Sequence, residues 1–268
     1  MQAVILCGGK GTRLSALYAD RPKVLVPVAG RPFLAWQLDW LARGGVTAVH
    51  LAAGHLSDVL GAWLAEQSRG QQSEVSSQPA GISGLRSHVS GFQLQVSGFR
   101  LRCTISTEPA PLGTGGGLKY VEPFLCSDPF LVLNGDSLMP RLDFPALEKA
   151  HVAFSQPWKT AGAATLAVTR IAEAGRYGTV ECDAAHRITA FREKASRTEG
   201  FINGGVYLMD RGVLAAIEPG KNVSIETDTF PALAGAGRLQ AVECPQPLLD
   251  MGTPEGIRAM EEFLGRNA

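Results

Sequence analysis

Two stretches of this chain have the residue types and spacing to do chemistry. The first is "AVILCGGKGTRL", Ala3 to Leu14, where an apolar run leads directly into Gly8, Gly9 and Gly11, with Thr12 and Arg13 behind them. A glycine-rich loop after a strand aims backbone N–H groups at phosphate oxygens. It is not a P-loop, since no Gly-Lys-Ser/Thr closes it, and it is a poor dinucleotide fingerprint, since Leu14 stands where a third glycine belongs. A tight turn would account for Gly8 and Gly9 but not for Thr12, Arg13 and the downstream Lys23. The second stretch is "FLVLNGDS", a continuous apolar run that delivers Asp136 just past its carboxyl end. Taken alone, Asp136 reads as a turn residue.

The elements that must position these residues are those of an α/β protein. The 268 residues suit one large domain, read as 1–268 with halves 1–150 and 151–268. "AVIL", "PFLAWQLDWLARGG", "AVHLAA" and "SDVLGAWLAEQ" alternate strand and helix patterns, which predicts a Rossmann-like, mostly parallel central sheet with helices on both faces. In the second pattern Pro32 suits a first helical turn, Leu34, Leu38 and Leu41 keep helical spacing, and Gly44 and Gly45 stop it. Beyond about residue 160 the texture changes to short strands ("AATLAVT", "YGTVECD", "RITAFRE", "INGGVYLM"), a smaller α+β portion able to supply a second cleft wall. Residues 68–91, rich in Ser, Gly and Gln, read as a mobile loop, a tolerated surface insertion rather than a flap or oligomer contact. The alternation through Phe92, Leu94 and Val96, then Phe99, Leu101, Cys103 and Ile105, predicts a hairpin turning at Ser97-Gly98.

Composition excludes several classes. Lys plus Arg equal Asp plus Glu at 25 each, so no global field attracts nucleic acid or an acidic membrane. No apolar run approaches the ~20 residues of a membrane span, and "MQAVILCGG" lacks a signal-peptide pattern, so a cytoplasmic protein is expected. Cys7, Cys103, Cys126, Cys182 and Cys244 are odd in number and lack CxxC spacing, which argues for reduced packing residues over a disulfide framework or zinc site.

"LCGGKGTRL" followed by "RPKVLVPVAGRPFL", "EPAPLGTGGGLK", "FLVLNGDS", "RYGTVE", "FREK", "FINGGVYLM" and "LLDMGTPEG" resembles, in order and over nearly the whole chain, the sugar-1-phosphate nucleotidyltransferases. The wording is most similar to the D-glycero-D-manno-heptose 1-phosphate guanylyltransferases, with the mannose-1-phosphate guanylyltransferases next. The resemblance implies attack of a sugar-phosphate oxygen on the α-phosphorus of a nucleoside triphosphate, with release of pyrophosphate. The nucleophile is already ionised near neutral pH, so the site must supply charge neutralisation and in-line positioning rather than a general base. In keeping with this, His50, His55, His88, His151 and His186 occupy no catalytic context.

The roles implied by the resemblance fall on specific positions. Leu6, Gly8, Gly9, Gly11 and Thr12 would wrap the nucleotide, and Arg13 would clamp its phosphates with a planar fork. Lys23 would be a second cation; the family usually reads Pro-Lys-Pro, and here Val24 follows the lysine. Asp136 and Asp250, with phosphate oxygens and water, would hold Mg2+. Glu108 stands at the base-recognition position, with Gly113 and Thr114 beside the base. A carboxylate accepts two hydrogen bonds and donates none, which suits the donor pair of guanine better than the acceptor-donor-acceptor edge of uracil or thymine. Gly178, Glu193, Lys194, Asn203 and Gly204 would bind the sugar phosphate, Lys194 meeting its phosphate.

GTP and a heptose 1-phosphate are therefore the expected substrates, with no nucleic acid, no membrane and a possible homodimer. Mannose 1-phosphate, or uridylyl or thymidylyl transfer to another sugar 1-phosphate, are the alternatives. A non-catalytic nucleotide-binding module is the alternative of another class; it would be expected to lack one of Arg13, Lys23, Asp136 and Asp250, and all four are present. No appended acyltransferase or β-helix domain is expected after the helical-looking "PEGIRAMEEFLGR".

Overall fold

The computed structural model describes residues 1–9, 18–68, 72–73, 89–172, 179–192 and 199–267. Its main elements are, in chain order, β1 (Gln2–Cys7), α1 (Phe33–Arg43), β2 (Ala48–Ala53), α2 (Ser57–Gln67), β3 (Val89–Val96), β4 (Phe99–Thr107), α3 (Gly113–Val121), β5 (Phe130–Asn134), α4 (Phe144–Ser155), β6 (Ala164–Ile171), β7 (Thr179–Cys182), β8 (Ile188–Arg192), β9 (Gly200–Met209), α5 (Phe230–Gly235), β10 (Leu239–Glu243) and α6 (Pro254–Asn267).

Alternation along the first strand decides the layering. Side chains of a strand point to opposite faces in turn, and Ala3, Ile5 and Cys7 of β1 join one core cluster while Val4 joins another. The first cluster takes Leu34, Leu38 and Leu41 of α1 and Leu60 and Leu64 of α2; the second takes Leu118 and Val121 of α3 with Phe230 and Leu233 of α5. Helices thus cover both faces, as expected. Leu34, Leu38 and Leu41 are fully buried, each contributing about 1.5–3 kcal/mol by its removal from water. Helix α1 ends as its glycines require, with Gly45 at φ +84°.

Among the described residues, one sheet of 11 strands runs in the order β8-β7-β9-β5-β1-β2-β4-β3 and on to the short strand Gln72–Ser73, with β6 pairing β9 and β10. Its centre, β5-β1-β2-β4, is parallel throughout. Antiparallel pairs flank this centre, β9 against β5 and β3 against β4, while β6 and β10 beyond β9 pair parallel. The strands of the second half, which differ in texture, therefore continue the same sheet.

The hairpin β3–β4 turns at Ser97 and Gly98, both at positive φ, with Val96 facing Phe99. Its strand begins at Val89, so the end of the loop expected over 68–91 is already sheet. Within that span, Gln72–Ser73 pairs with Gly91 and Phe92; 69–71 and 74–88 lie outside the described residues.

A third cluster seats the C-terminus. Ile257, Met260 and Leu264 of α6 pack on Val26, Val28, Leu138, Leu249 and Met251. This packing presses the strand Leu249–Asp250 against Ser137–Leu138 in an antiparallel pair.

Candidate active site

Because the central strands are parallel, their carboxyl ends open on one edge. A cleft of about 760 Å3 lies there, lined by Leu6 to Gly9 after β1, Ala52 to His55 after β2, Glu108 to Pro111 after β4 and Asn134 to Asp136 after β5. Of the residues expected to bind nucleotide, Leu6, Gly8, Gly9, Glu108, Gly113 and Thr114 all line it, as do Lys23 and Asp136.

Glu108 is held by its backbone and wedged by its carboxylate. Its N–H donates to Ala53 O at 2.9 Å, continuing the pairing of β4 with β2. A Cβ on either Gly8 or Gly54 would lie 2.7 Å from Oε1, so only glycines leave room for this side chain. Leu112 N–H donates to Oε2 at 3.3 Å. Desolvation raises the Glu108 pKa above the ordinary glutamate value, and the Leu112 hydrogen bond offsets part of that.

Lys23 and Asp136 meet directly. The Lys23 ammonium donates to Asp136 Oδ2 at 2.5 Å, and Ser137 Oγ donates to Oδ1 at 3.1 Å. Asp250 is not a lining residue of the cleft, but the strand register sets it opposite Ser137, and Met251 N–H donates to Asp136 O at 2.9 Å. Its Oδ1 accepts from Gly252 N–H at 2.6 Å. The Asp136 carboxylate, in the turn just before Ser137, and that of Asp250, on the strand paired with Ser137–Leu138, are hard oxygen donors of the kind a divalent ion takes in small number beside phosphate and water.

Helix α3 also packs its glycines against the second half of the chain. Gly115 and Gly116 donate to Val223 O at 2.8 and 3.2 Å, and Thr114 Oγ1 accepts from Ile225 N–H at 2.8 Å while donating to Glu226 at 2.7 Å. Gly113, at φ +70°, approaches Val223 O, and Gly116 approaches Lys221 O. The close approach these glycines permit is thus to the 221–225 backbone. Val223 N–H and Asn222 Nδ2 donate to Leu112 O and Pro111 O, which stitches the Glu108 loop to the second half.

Asn203 and Gly204 do not line the cleft. Asn203 Nδ2 donates to the buried Tyr207 hydroxyl at 3.0 Å and its Oδ1 accepts from Gly205 N–H at 2.9 Å. Gly204 is packed against Met139, and the register of β6 with β9 shifts between Ala167 and Val168. The Asn-Gly-Gly sequence here makes a bulge. Gly11, Thr12, Arg13, Gly178, Glu193 and Lys194 lie outside the described residues.

Gly54, His55, Tyr120 and Asn222 also line the cleft, although sequence reasoning passed over them. Gly54-His55 had a signal: like "CGG" and "NGD", it directly follows a buried strand. Asn222 had none, since it reaches the cleft only through tertiary pairing.

The sequence profile of the Nucleotidyl transferase family matches residues 2–267, and the chain belongs to that family. Members of this family generally use a divalent metal ion. The chain is 34% identical over 260 residues to a mannose-1-phosphate guanyltransferase of Aspergillus oryzae, and 32% identical over 263 residues to the mannose-1-phosphate guanylyltransferase of Mycobacterium tuberculosis. Each alignment covers 95% of this chain and 62% of the relative, so the chain spans less than two thirds of those relatives' length. The crystal structure of HddC from Yersinia pseudotuberculosis complexed with GMP-PN shares the fold, at a TM-score of 0.74 and 24% identity over 98% of this chain and 99% of that one. Among the described residues no helix is long and apolar enough to cross a membrane.

Proposed function

We propose that the chain transfers a guanylyl group from GTP to a sugar 1-phosphate of manno configuration, mannose or manno-heptose, and releases pyrophosphate. One observation carries the reading: a single cleft holds both the wedged Glu108 carboxylate and the Lys23–Asp136 pair. Its volume of about 760 Å3 falls within the roughly 300–1,000 Å3 of small-molecule sites. The continuous sheet supports one domain over 1–268, with 1–150 taking the nucleotide and 151–268 the sugar phosphate.

Glu108 accepts from guanine N1–H and N2–H2, and a pyrimidine carbonyl in the same place would leave a part-buried carboxylate facing an acceptor, a penalty of about 1–3 kcal/mol. Lys23, with Arg13, neutralises the phosphates. A sugar-phosphate oxygen forms a bond to the α-phosphorus as the bond from that phosphorus to the bridging oxygen breaks, and the electron pair leaves on pyrophosphate. No proton need move. Asp136 and Asp250 would hold Mg2+, and the ion would supply further charge neutralisation. The mannose preference rests on the names of the relatives; the heptose preference rests on the motif wording.

The test is pyrophosphate release with Mg2+ from GTP, UTP, TTP and CTP, each against mannose, manno-heptose and glucose 1-phosphates. Turnover with GTP and a manno sugar is expected. Faster turnover with UTP or TTP overturns the base assignment, and tight GTP binding without turnover by any pair identifies a non-catalytic module.

A further inference from the structure

Helix α1 buries a polar residue in the middle of its apolar face. Leu34, Leu38 and Leu41 follow helical spacing, and Gln37 lies in the same stripe, 0% exposed. Its Nε2 donates one hydrogen bond to Asn134 O and one to Ser137 O, both at 3.0 Å. Those carbonyls stand on either side of Gly135-Asp136, so a single amide group spans the turn that carries the Asp136 carboxylate. Its Oε1 has no hydrogen-bond partner among the described residues, and a buried polar atom left so is costly. A leucine would satisfy the helix; the amide satisfies the turn.

Further hydrogen bonds reach that turn from other elements. Gly135 N–H donates to Leu6 O at 3.1 Å, and Met251 N–H donates to Asp136 O. Lys23 and Ser137 hold the carboxylate itself. Among the described residues, Gln37 alone donates hydrogen bonds to both shoulders of the turn, and it does so from a helix in the core. Groups that hold a metal-binding carboxylate in place tune affinity without touching the ion.

We infer that Gln37 is a positioning residue, which fixes the Asn134–Ser137 turn so that Asp136 presents its carboxylate to a divalent ion. The inference rests on the metal-binding assignment of Asp136 made above. It implies that losing the two donors weakens metal binding by about tenfold, toward the lower end of the effect of such outer partners. A merely structural buried glutamine would lower stability and leave metal affinity unchanged.

The experiment uses the full chain and its Gln37→Met, Gln37→Asn, Leu41→Ala and Asp136→Asn variants. Gln37→Met removes both donors at similar volume, and Gln37→Asn keeps an amide too short to reach both carbonyls, so it carries the measurement if the first variant does not fold. Leu41→Ala creates a cavity on the same helix face without touching the turn. Equilibrium Mn2+ binding, read from the electron paramagnetic resonance signal of free Mn2+, is compared with the Mg2+ concentration for half-maximal pyrophosphate release. Both are expected to shift about tenfold in the Gln37 variants and to stay within twofold in Leu41→Ala. Unshifted Mn2+ binding in the Gln37 variants, or an equal shift in Leu41→Ala, overturns the inference. If Asp136→Asn binds Mn2+ normally, the metal assignment itself is wrong; if it loses Mn2+ while the Gln37 variants keep it, only the role of Gln37 falls.

Discussion

The Lys23 ammonium sits 2.5 Å from the Asp136 carboxylate, an ion pair between residues 113 positions apart. Each partner is half-buried or more, at 18% and 31% side-chain exposure, and both face the cleft. The pair balances one positive and one negative charge at the cleft wall, and under the proposed function these are the groups that would meet phosphate and metal ion.

Lys23→Met should therefore lower kcat for pyrophosphate release by about 10²–10³-fold, the range seen when one preorganised charge-stabilising group is removed. Lys23→Met combined with Asp136→Asn should cost less than the product of the single effects, because the two act as a unit. Retention of half the activity by Lys23→Met would remove it from the phosphate site.

Glu108 governs a pH dependence whose sign follows from its raised pKa. A folded-state value above the unfolded value near 4.5 means that its contribution to stability is fully present below that value and lost as pH rises through the folded pKa. Glu108→Gln removes the desolvated charge. The unliganded variant should melt at or above the wild-type temperature at pH 8, with the difference shrinking as pH falls toward about 4.5, and it should lose preference for GTP over UTP. A variant markedly less stable than wild type at pH 8 would contradict the burial argument.

Gly8 and Gly54 should be intolerant for a reason that Gly9 does not share. A methyl at either of the first two displaces Glu108 Oε1, whereas among the described residues nothing lies within 4 Å of a Cβ at Gly9. Gly8→Ala and Gly54→Ala are expected to weaken GTP binding by roughly tenfold, about 1.4 kcal/mol, and Gly9→Ala by less than threefold. Calorimetric titration with GTP distinguishes them.

Gly116→Ala should lower stability by about 1–3 kcal/mol, since its Cβ would be forced into Lys221 O and backbone cannot move aside cheaply. Among the described residues, nothing lies within 4 Å of a Cβ at Gly61, in α2. Gly61→Ala should stabilise by about 0.5–1 kcal/mol through helix propensity. Denaturant unfolding of the two variants would show shifts of opposite sign.

Where short-range pattern decides structure, the elements were legible in the chain. The glycine stop of α1, the alternation of β3 and β4 around Ser97-Gly98, and the apolar run of β5 each express a local rule, and each element forms there. Helix α3 was not legible. "GTGGGLKYV" has four glycines, which weaken a helix, and it is helical because its first turn is bonded to Val223 and Ile225. Gln37 was not legible: the helical spacing was read from Leu34, Leu38 and Leu41 alone, and only the approach of the Asn134–Ser137 turn explains a buried amide beside them.

What the sequence by itself determined was the set of parts: a parallel α/β sheet, glycine turns at strand ends, and the identities of Lys23, Glu108, Asp136 and Asp250. What only the tertiary structure decided was their company. Asp250 reaches the strand beside Asp136 because α6 packs its apolar stripe on Val26, Val28 and Leu138. Glu108 is wedged because three strands deliver Gly8, Gly54 and the carboxylate to one edge. Periodicity is a property of neighbours in the chain, so it can be read from sequence. Which distant segments share a buried surface is decided by the summed packing of the whole core, and no short stretch contains that sum.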